Sequence, residues 1–322
     1  MTYKERQKDV QRSYFLEKDK KMGGEYKGKG YDYILKDSKD NFREHLYKDV
    51  VDYFAKNSIN WWGGKLPTGN TLSSQIACIN HLFPIRQDHD AVLAIAQSVD
   101  SDFDDVEKLP NDKDEKGYIS FEVVSATDHL NEARGKNKKL HRGSQCTSID
   151  AIIIAKKHGT RVLLVIEWKY VEFYGNEDKS KNVDGNMRGN TRLNRYSELI
   201  QQSEQLKNVD NCRGSVYFFE PFYQLMRQTL WAEQMVNYRD EEDIRADDYI
   251  HVHVVPLENE ALLQKKYKCG NKCGGKDMLA TWTDQLENPD KYKRISPEEL
   301  LSKLTDKRWE GLIAYLKERY WQ

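Results

Sequence analysis

The runs T-S-I-D-A-I-I-I-A at Thr147–Ala155 and R-V-L-L-V-I-E-W-K at Arg161–Lys169 decide the fold of this chain. Both are apolar at nearly every position, the signature of central strands covered on both faces. Between them lies Lys156-Lys157-His158-Gly159-Thr160. A two-residue turn at His158-Gly159 suits the join, because Gly takes positive φ freely and His is among the residues enriched there. That turn pairs Lys157 with Thr160. Counting back, Ile154 faces Leu163, Ile152 faces Val165, and Asp150 faces Glu167. Directly opposed residues share a face of the sheet, with Cβ atoms ~4.5–5.5 Å apart. Lys169 follows Glu167 by two and projects from the same face. A longer loop with an even number of residues keeps this pairing; an odd loop or a bulge breaks it.

Two carboxylates placed so close repel each other and are costly to desolvate, and a bound cation relieves both problems. All-oxygen ligation suits Mg²⁺, with Mn²⁺ as a substitute. The Trp168 carbonyl, between Glu167 and Lys169, is a candidate third ligand. A metal held there can polarise a phosphoryl oxygen and activate water. Lys169 can orient that water or stabilise charge developing on a phosphate. These are the parts needed for phosphodiester hydrolysis. The string E-x-K alone says little, since Glu25-Tyr26-Lys27 and Glu177-Asp178-Lys179 match it too. Only Glu167-Trp168-Lys169 ends an apolar strand that turns back to an Asp. The plain alternative is a charged strand end with a surface ion pair between Asp150 and Lys169.

Upstream, residues 1–40 are rich in Lys, Asp and Gly and read as loops plus one short polar helix. Helical spacing predicts helices over 41–57, over 71–83 (Leu72, Ile76, Ile79, Leu82, stopped by Pro84) and over 88–98. Residues 100–117 are acidic and turn-rich, which predicts a loop, and Tyr118–Ser125 predicts a strand. Downstream, 175–191 is polar, 194–207 and 222–238 read as helices, and Gly214–Phe219 and His251–Pro256 read as strands. After Pro256 the chain reads as mostly helical, ending in Trp309–Tyr320.

The whole chain has 322 residues, enough for a sizeable core. Its net charge of −1 gives no global basic field, so any nucleic-acid contact must come from a local groove. Eleven per cent aromatic residues argue against general disorder. Five cysteines at scattered positions suggest reduced thiols rather than a disulfide framework. The charged stretch Met1–Lys21 does not read as a signal peptide, and no apolar run is long enough to span a membrane. A cytoplasmic protein is the expectation.

S-I-D-A at 148–151 followed by V-I-E-W-K-Y at 165–170 resembles the D…(D/E)-x-K core of the PD-(D/E)XK restriction-endonuclease-like nucleases. The element order helix, three strands, helix, strand resembles theirs as well, over about residues 71–256. The resemblance implies an α/β fold with an αβββαβ core, a central mixed sheet flanked by helices, and helical additions at both ends. Residues 1–70 would form an N-terminal extension and 257–322 a C-terminal helical region packed on the core. It also implies Mg²⁺-dependent cleavage of a phosphodiester backbone, usually DNA, with RNA left open. Asp150 and Glu167 would be metal ligands and Lys169 the catalytic lysine. A narrower likeness is to bacterial restriction-endonuclease-like proteins carrying an S-S-Q helix, an F-E strand and a P-F-Y-Q-L-M-R-Q helix. Here these are Ser73-Ser74-Gln75, Phe121-Glu122 and Pro221–Gln228. One departure matters. Many superfamily members carry a further Glu on the first core helix, whereas 71–83 has no acid. Gln75 is the nearest substitute, and Glu122 could supply the carboxylate from the adjoining strand.

Further candidates are less specific. The basic stretch Arg134–Arg142, with Lys136, Lys138, Lys139 and Arg142, leads into the strand bearing Asp150 and could hold phosphate; a solvated loop is the bland alternative. Arg192, Arg195 and Tyr196 could line a backbone groove. Arg227 and Gln228 could contact phosphate, or Arg227 could form a structural ion pair. His251 and His253 with Cys269 and Cys273 invite a zinc site, although Gly270, Gly274 and Gly275 suggest a simple turn. Two other functions compete with a DNA-cutting enzyme of restriction or defence type, for which a homodimer is left open: a nucleic-acid-binding protein of nuclease fold with weak catalysis, and an assembly protein whose carboxylates merely hold a metal.

Overall fold

A computed structural model describes residues 1–322 apart from 63, 114, 134–138, 144–145 and 184. At its centre is the hairpin of β5 (Ile149–Lys157) and β6 (Thr160–Trp168). The turn has φ of 52° at His158 and 83° at Gly159, so both central residues are left-handed and the twist matches the strands. The register pairs Lys157 with Thr160, Ile154 with Leu163 and Ile152 with Val165, as the sequence count requires, and the ladder ends at Ala151–Ile166.

On one edge of β5 lie two short antiparallel strands, β3 (Asp105–Glu107) beside Ile154–Lys156 and β4 (Ser120–Val123) beside Ile149–Ile152. On the other side, β6 is followed by β7 (Asp248–Val254) and β8 (Tyr292–Ile295), both parallel. Among the described residues the sheet is therefore mixed, six-stranded and flanked by helices. A separate two-stranded hairpin, β1 (Glu25–Tyr26) and β2 (Lys29–Gly30), precedes it.

Side-chain alternation splits the core into two layers. Ala151, Ile153, Leu164, Ile166 and Trp168 face α2 (Leu46–Lys56), α3 (Ser74–Leu82), α4 (His89–Val99) and α10 (Glu310–Arg319), through residues such as Phe54, Ile76, Val92 and Leu316. Ile152, Ile154, Leu163 and Val165 face α5 (Arg188–Gln202), α6 (Phe222–Asn237) and α8 (Met278–Thr283), through Ile200, Met226, Trp231 and Trp282. Full burial of each such aliphatic side chain contributes roughly 1.5–3 kcal/mol. Short helices α7 (Glu260–Leu263) and α9 (Pro297–Leu300) complete the chain. Ser73 caps α3 and Asp88 caps α4 through their side-chain oxygens.

Three expectations need correction. Residues 1–40 hold a helix longer than the composition suggests, α1 (Tyr3–Glu17), started by the capping box of Thr2 and Glu5. Its buried face mixes aromatic and polar residues: Gln7 and Gln11 are fully buried beside Tyr3, Tyr14 and Phe15, and Gln11 donates to the Tyr170 hydroxyl at 2.9 Å. Gly214–Phe219 is no strand; Val216–Phe218 forms a 3-10 turn leading into α6. The stretches 100–117 and 257–322 each contain an edge strand, β3 and β8, too short and too charged to announce themselves.

Candidate active site

The β5–β6 ladder ends one residue short of Asp150 and Glu167, and side chains take over from there. Asp150 Oδ2 accepts the Trp168 backbone N–H at 2.8 Å, in place of a further ladder rung. Beyond the strand, the Lys169 N–H donates to the Val254 carbonyl at 2.8 Å. Glu167 and Lys169 are both buried and form an ion pair. The Lys169 ammonium also donates to Gln224 Oε1 at 2.5 Å. Burial opposes that ammonium's charge, but Glu167, with Tyr174, Glu172 and Asp150, holds its pKa well above the usual lysine range.

Glu122 arrives from β4. The pairing skips it: Phe121 faces Ala151 and Val123 faces Ile149, while Glu122 itself has φ of 50°. A left-handed non-glycine residue costs about 1–3 kcal/mol and persists only where its surroundings demand it. Here Arg142 donates to the carbonyls of Phe121 and Glu122, pinning the kink. The kink delivers the Glu122 carboxylate to Gln75 Nε2 on α3 at 2.5 Å and to the Ser148 hydroxyl at 2.9 Å. Burial, opposed by these hydrogen bonds and reinforced by Glu167, pushes its pKa up to about 7. Burial first, then Glu167 and Glu122, raises the pKa of Asp150 well above the usual carboxylate range.

The acids, Lys169 and the amides that hold them line one cavity of about 800 Å³. Asp150, Glu167, Trp168, Lys169, Glu122 and Gln75 share its wall, together with Arg227 and Gln228. A family of proteins described as restriction endonuclease associating with ARP matches the chain over residues 6–321. The chain belongs to that family. No curated protein and no solved structure matches it.

In this family member the remaining candidates separate. Arg227 lines the cavity but is held by the buried Glu132, its Nε 3.1 Å from the carboxylate. Glu132 also accepts from Tyr196 and from the backbone and hydroxyl of Thr147, fixing the approach to β5. Tyr196 is therefore a core residue of this cluster. Arg142 is not presented to solvent. Its guanidinium lies 3.1 Å from the buried Asp112 and binds the Tyr53 hydroxyl, so its charge is spent inside. Lys139 is exposed and Arg195 half-buried, and neither is among the described residues lining the cavity. Lys136 and Lys138 lie outside the described residues. Arg192 donates to the Lys179 carbonyl at 3.0 Å, a loop contact.

The zinc candidates are committed elsewhere. Cys269 and Cys273 are joined as a disulfide, with Cα atoms 5.3 Å apart, which corrects the expectation of five reduced thiols. Gly270, Gly274 and Gly275 all have positive φ and fold this turn tightly enough to bring the pair together. His253 Nδ1 contacts the Tyr292 hydroxyl at 2.8 Å.

His251 serves the site indirectly. Gln228 on α6 donates its Nε2–H to Glu167, so its Oε1 must accept, and His251 Nε2 lies 3.0 Å from that oxygen. Nε2 therefore carries the proton, and Nδ1 accepts from the Thr229 hydroxyl at 3.2 Å. Burial lowers the His251 pKa to about 4, which keeps the ring in this neutral tautomer. The sequence reading missed Gln224, Glu132 and the role of His251. Gln224 and Gln228 stand four apart on one helix face, and that spacing was the available signal. It also missed Glu220, whose Oε2 is buried without a hydrogen-bond partner among the described residues in the wall of the same cavity.

The donor set suits a hard divalent cation. Glu167 and Glu122 are buried and Asp150 half-buried; desolvation first, and then the Glu167 charge, raises the pKa of Asp150 and Glu122, and a cation between them would offset that repulsion. Among the described residues no three His, Cys, Asp or Glu side chains already converge on a single metal position. Mg²⁺ does not need such a cage, since it is commonly held by one or two carboxylates and keeps several waters.

Proposed function

We propose that this protein is a Mg²⁺-dependent endonuclease that hydrolyses phosphodiester bonds, with DNA as the expected substrate. The observation that carries this reading is the in-phase hairpin end, which brings Asp150, Glu167 and Lys169 to the wall of one cavity. Asp150 and Glu167 would hold the ion, with the Trp168 carbonyl as a further oxygen. A divalent ion there supplies Lewis acidity toward a phosphoryl oxygen and lowers the pKa of bound water. Lys169 is held charged by Glu167 and so can stabilise negative charge building on the phosphate. Gln75 and Ser148 aim Glu122, while Gln228, fixed by His251, aims Glu167.

Incubating supercoiled plasmid with the protein and Mg²⁺ or Mn²⁺ tests the reading, with nicked or linear product expected and none in EDTA. An intact plasmid with either ion, alongside salt-sensitive DNA binding, would favour the non-catalytic binder instead. The metal step has its own readout. Mg²⁺ at millimolar concentration is expected to raise the melting temperature of the wild type by binding only the folded state, and Asp150→Asn should lose that rise. A shift of equal size in the variant would place the ion elsewhere.

Gln228→Leu tests the orienting chain. The carboxylate of Glu167 would lose a fixed donor while every metal ligand remains. Activity is expected to fall by about 10- to 100-fold, the usual cost of losing a group that orients a ligand, with more Mg²⁺ needed for half-maximal rate. Unchanged Mg²⁺ dependence would reduce Gln228 to a packing residue.

A further inference from the structure

The cavity has a second kind of wall. Tyr26, Tyr31, Tyr33 and Trp62, all N-terminal to the sheet, line it alongside the acids. Trp62 is 68% exposed and Tyr26 51% exposed. Single exposed apolar residues are ordinary, but several converging on one charged cavity are not. Packing explains the neighbouring Trp61, which is buried and stacked on Phe54 with ring centres 3.9 Å apart. It does not explain Trp62, whose ring is left to solvent. The Trp62 backbone is nevertheless tied down: its N–H donates to Gln75 Oε1 at 3.3 Å, and Gln75 in turn holds Glu122. The backbone of the residue that carries the exposed ring is therefore linked through one amide side chain to Glu122.

Tyr26 is presented by the β1–β2 hairpin, whose turn residues Lys27 and Gly28 have φ of 52° and 74°. Lysines accompany the rings. Lys27 Nζ lies 5.3 Å from the Tyr26 ring centre and Lys29 Nζ 5.5 Å from that of Tyr31.

We infer that this wall stacks unpaired nucleobases, so that the site takes single-stranded or locally opened nucleic acid rather than an intact duplex. The inference rests on the nuclease reading and narrows its substrate. Every base offers a π face, so aromatic platforms bind single strands with little regard to sequence, while Lys27 and Lys29 offer charge to the phosphates. A cavity of about 800 Å³ has the size of a small-ligand pocket. It admits a few nucleotides whose bases have left the stack, and the rigid cross-section of paired DNA stays outside.

The test is equilibrium binding of fluorescein-labelled oligonucleotides to the full chain in EDTA, read by anisotropy at fixed salt. The probes are one 20-mer as a single strand, as a perfect duplex and as a duplex with a central bubble, in DNA and RNA arms. The single strand and the bubble are expected to bind at least about tenfold tighter than the duplex in one arm or both, given the value of one or more stacked bases. Trp62→Ala should weaken single-strand binding by about 5- to 140-fold, the ~1–3 kcal/mol of a stacked base at 1.4 kcal/mol per decade. Trp62→Phe, which keeps a ring, should stay within about threefold of wild type. Tyr26→Ala, on a separate hairpin, should weaken the same probes. Equal or tighter binding of the duplex in both arms, or wild-type binding by Trp62→Ala, overturns the inference. The two readings fail separately. A protein that prefers single strands yet cuts nothing with Mg²⁺ loses the hydrolysis, whereas one that cuts paired DNA equally well as Trp62→Ala loses the stacking wall.

Discussion

Asp150→Asn is expected to lose Mg²⁺-dependent cleavage and yet melt at a higher temperature than wild type in EDTA. The two halves have one cause. Asp150 is half-buried and desolvated beside Glu167 and Glu122, and its charge is unwelcome there without a cation. Asparagine removes that charge while its Oδ1 can still accept the Trp168 N–H that Asp150 accepts now. The relief should raise the melting temperature by about 2–4 °C for each kcal/mol recovered. Such a gain in stability at the expense of function is the usual trade at a site built against its own folding. Lys169→Ala is expected to cut at least about 10²- to 10³-fold more slowly, the loss typical of one donor aimed at developing charge. Lys169→Ala also leaves Glu167 without its buried cation, so circular dichroism must accompany the rate measurement. Undiminished cutting by a folded variant of either residue would falsify the catalytic assignment.

Arg319→Met is expected to destabilise the protein by about 3–5 kcal/mol in urea denaturation, with no direct effect on the cavity. Arg319 is fully buried on α10, and among the described residues no carboxylate stands within ion-pair distance. Neutral acceptors carry its charge instead. Its Nε donates to Gln11 Oε1 at 3.0 Å, and Nη1 donates to the Asn41 carbonyl at 2.8 Å and the Tyr315 hydroxyl at 2.6 Å. Its Nη2 donates to the Asn41 side chain. The guanidinium also lies 4.7 Å from the ring centres of both Phe15 and Tyr320, where a desolvated cation–π contact adds about 2 kcal/mol. Methionine would fill much of the volume but strand several buried acceptors. Lysine should rescue little, because a single ammonium cannot reproduce a planar fork reaching α1, Asn41 and Tyr315 at once. A loss under about 1 kcal/mol would mean that water satisfies these groups unaided.

The centre of the fold was legible because β5 and β6 obey the simplest rule available. A period of two, an apolar run and a two-residue turn fix register with no help from the rest of the chain. That register carried Asp150, Glu167 and Lys169 with it. Glu122 was legible only as an acid near the right strand, since nothing in Phe121-Glu122-Val123 announces a left-handed residue. The periphery was harder because polar residues are mixed into its contacts. In helix α1 the buried glutamines Gln7 and Gln11 interrupt the buried Tyr3, Tyr14 and Phe15, so a search for apolar stripes passes over it, although Thr2 and Glu5 spell a helix start. Arg142 misled because charge in a basic run reads as solvent-facing, whereas Asp112, Tyr53 and two carbonyls draw it inward. Gln228 was noticed as a phosphate contact; its partners Glu167 and His251 lie 61 and 23 residues away.

The two core layers differ in how the chain supplies them. Helices α5, α6 and α8, on one side of the sheet, come from a continuous stretch after β6, whereas the other side gathers α2, α3 and α4 from before β5 and α10 from far beyond it. Each side sends one glutamine to the acids, Gln228 from the first and Gln75 from the second. A half-assembled chain would lack one of these two amides and leave a carboxylate unaimed. On the nuclease reading, full activity would then require both sides to have docked, and a partly melted copy would cut more slowly.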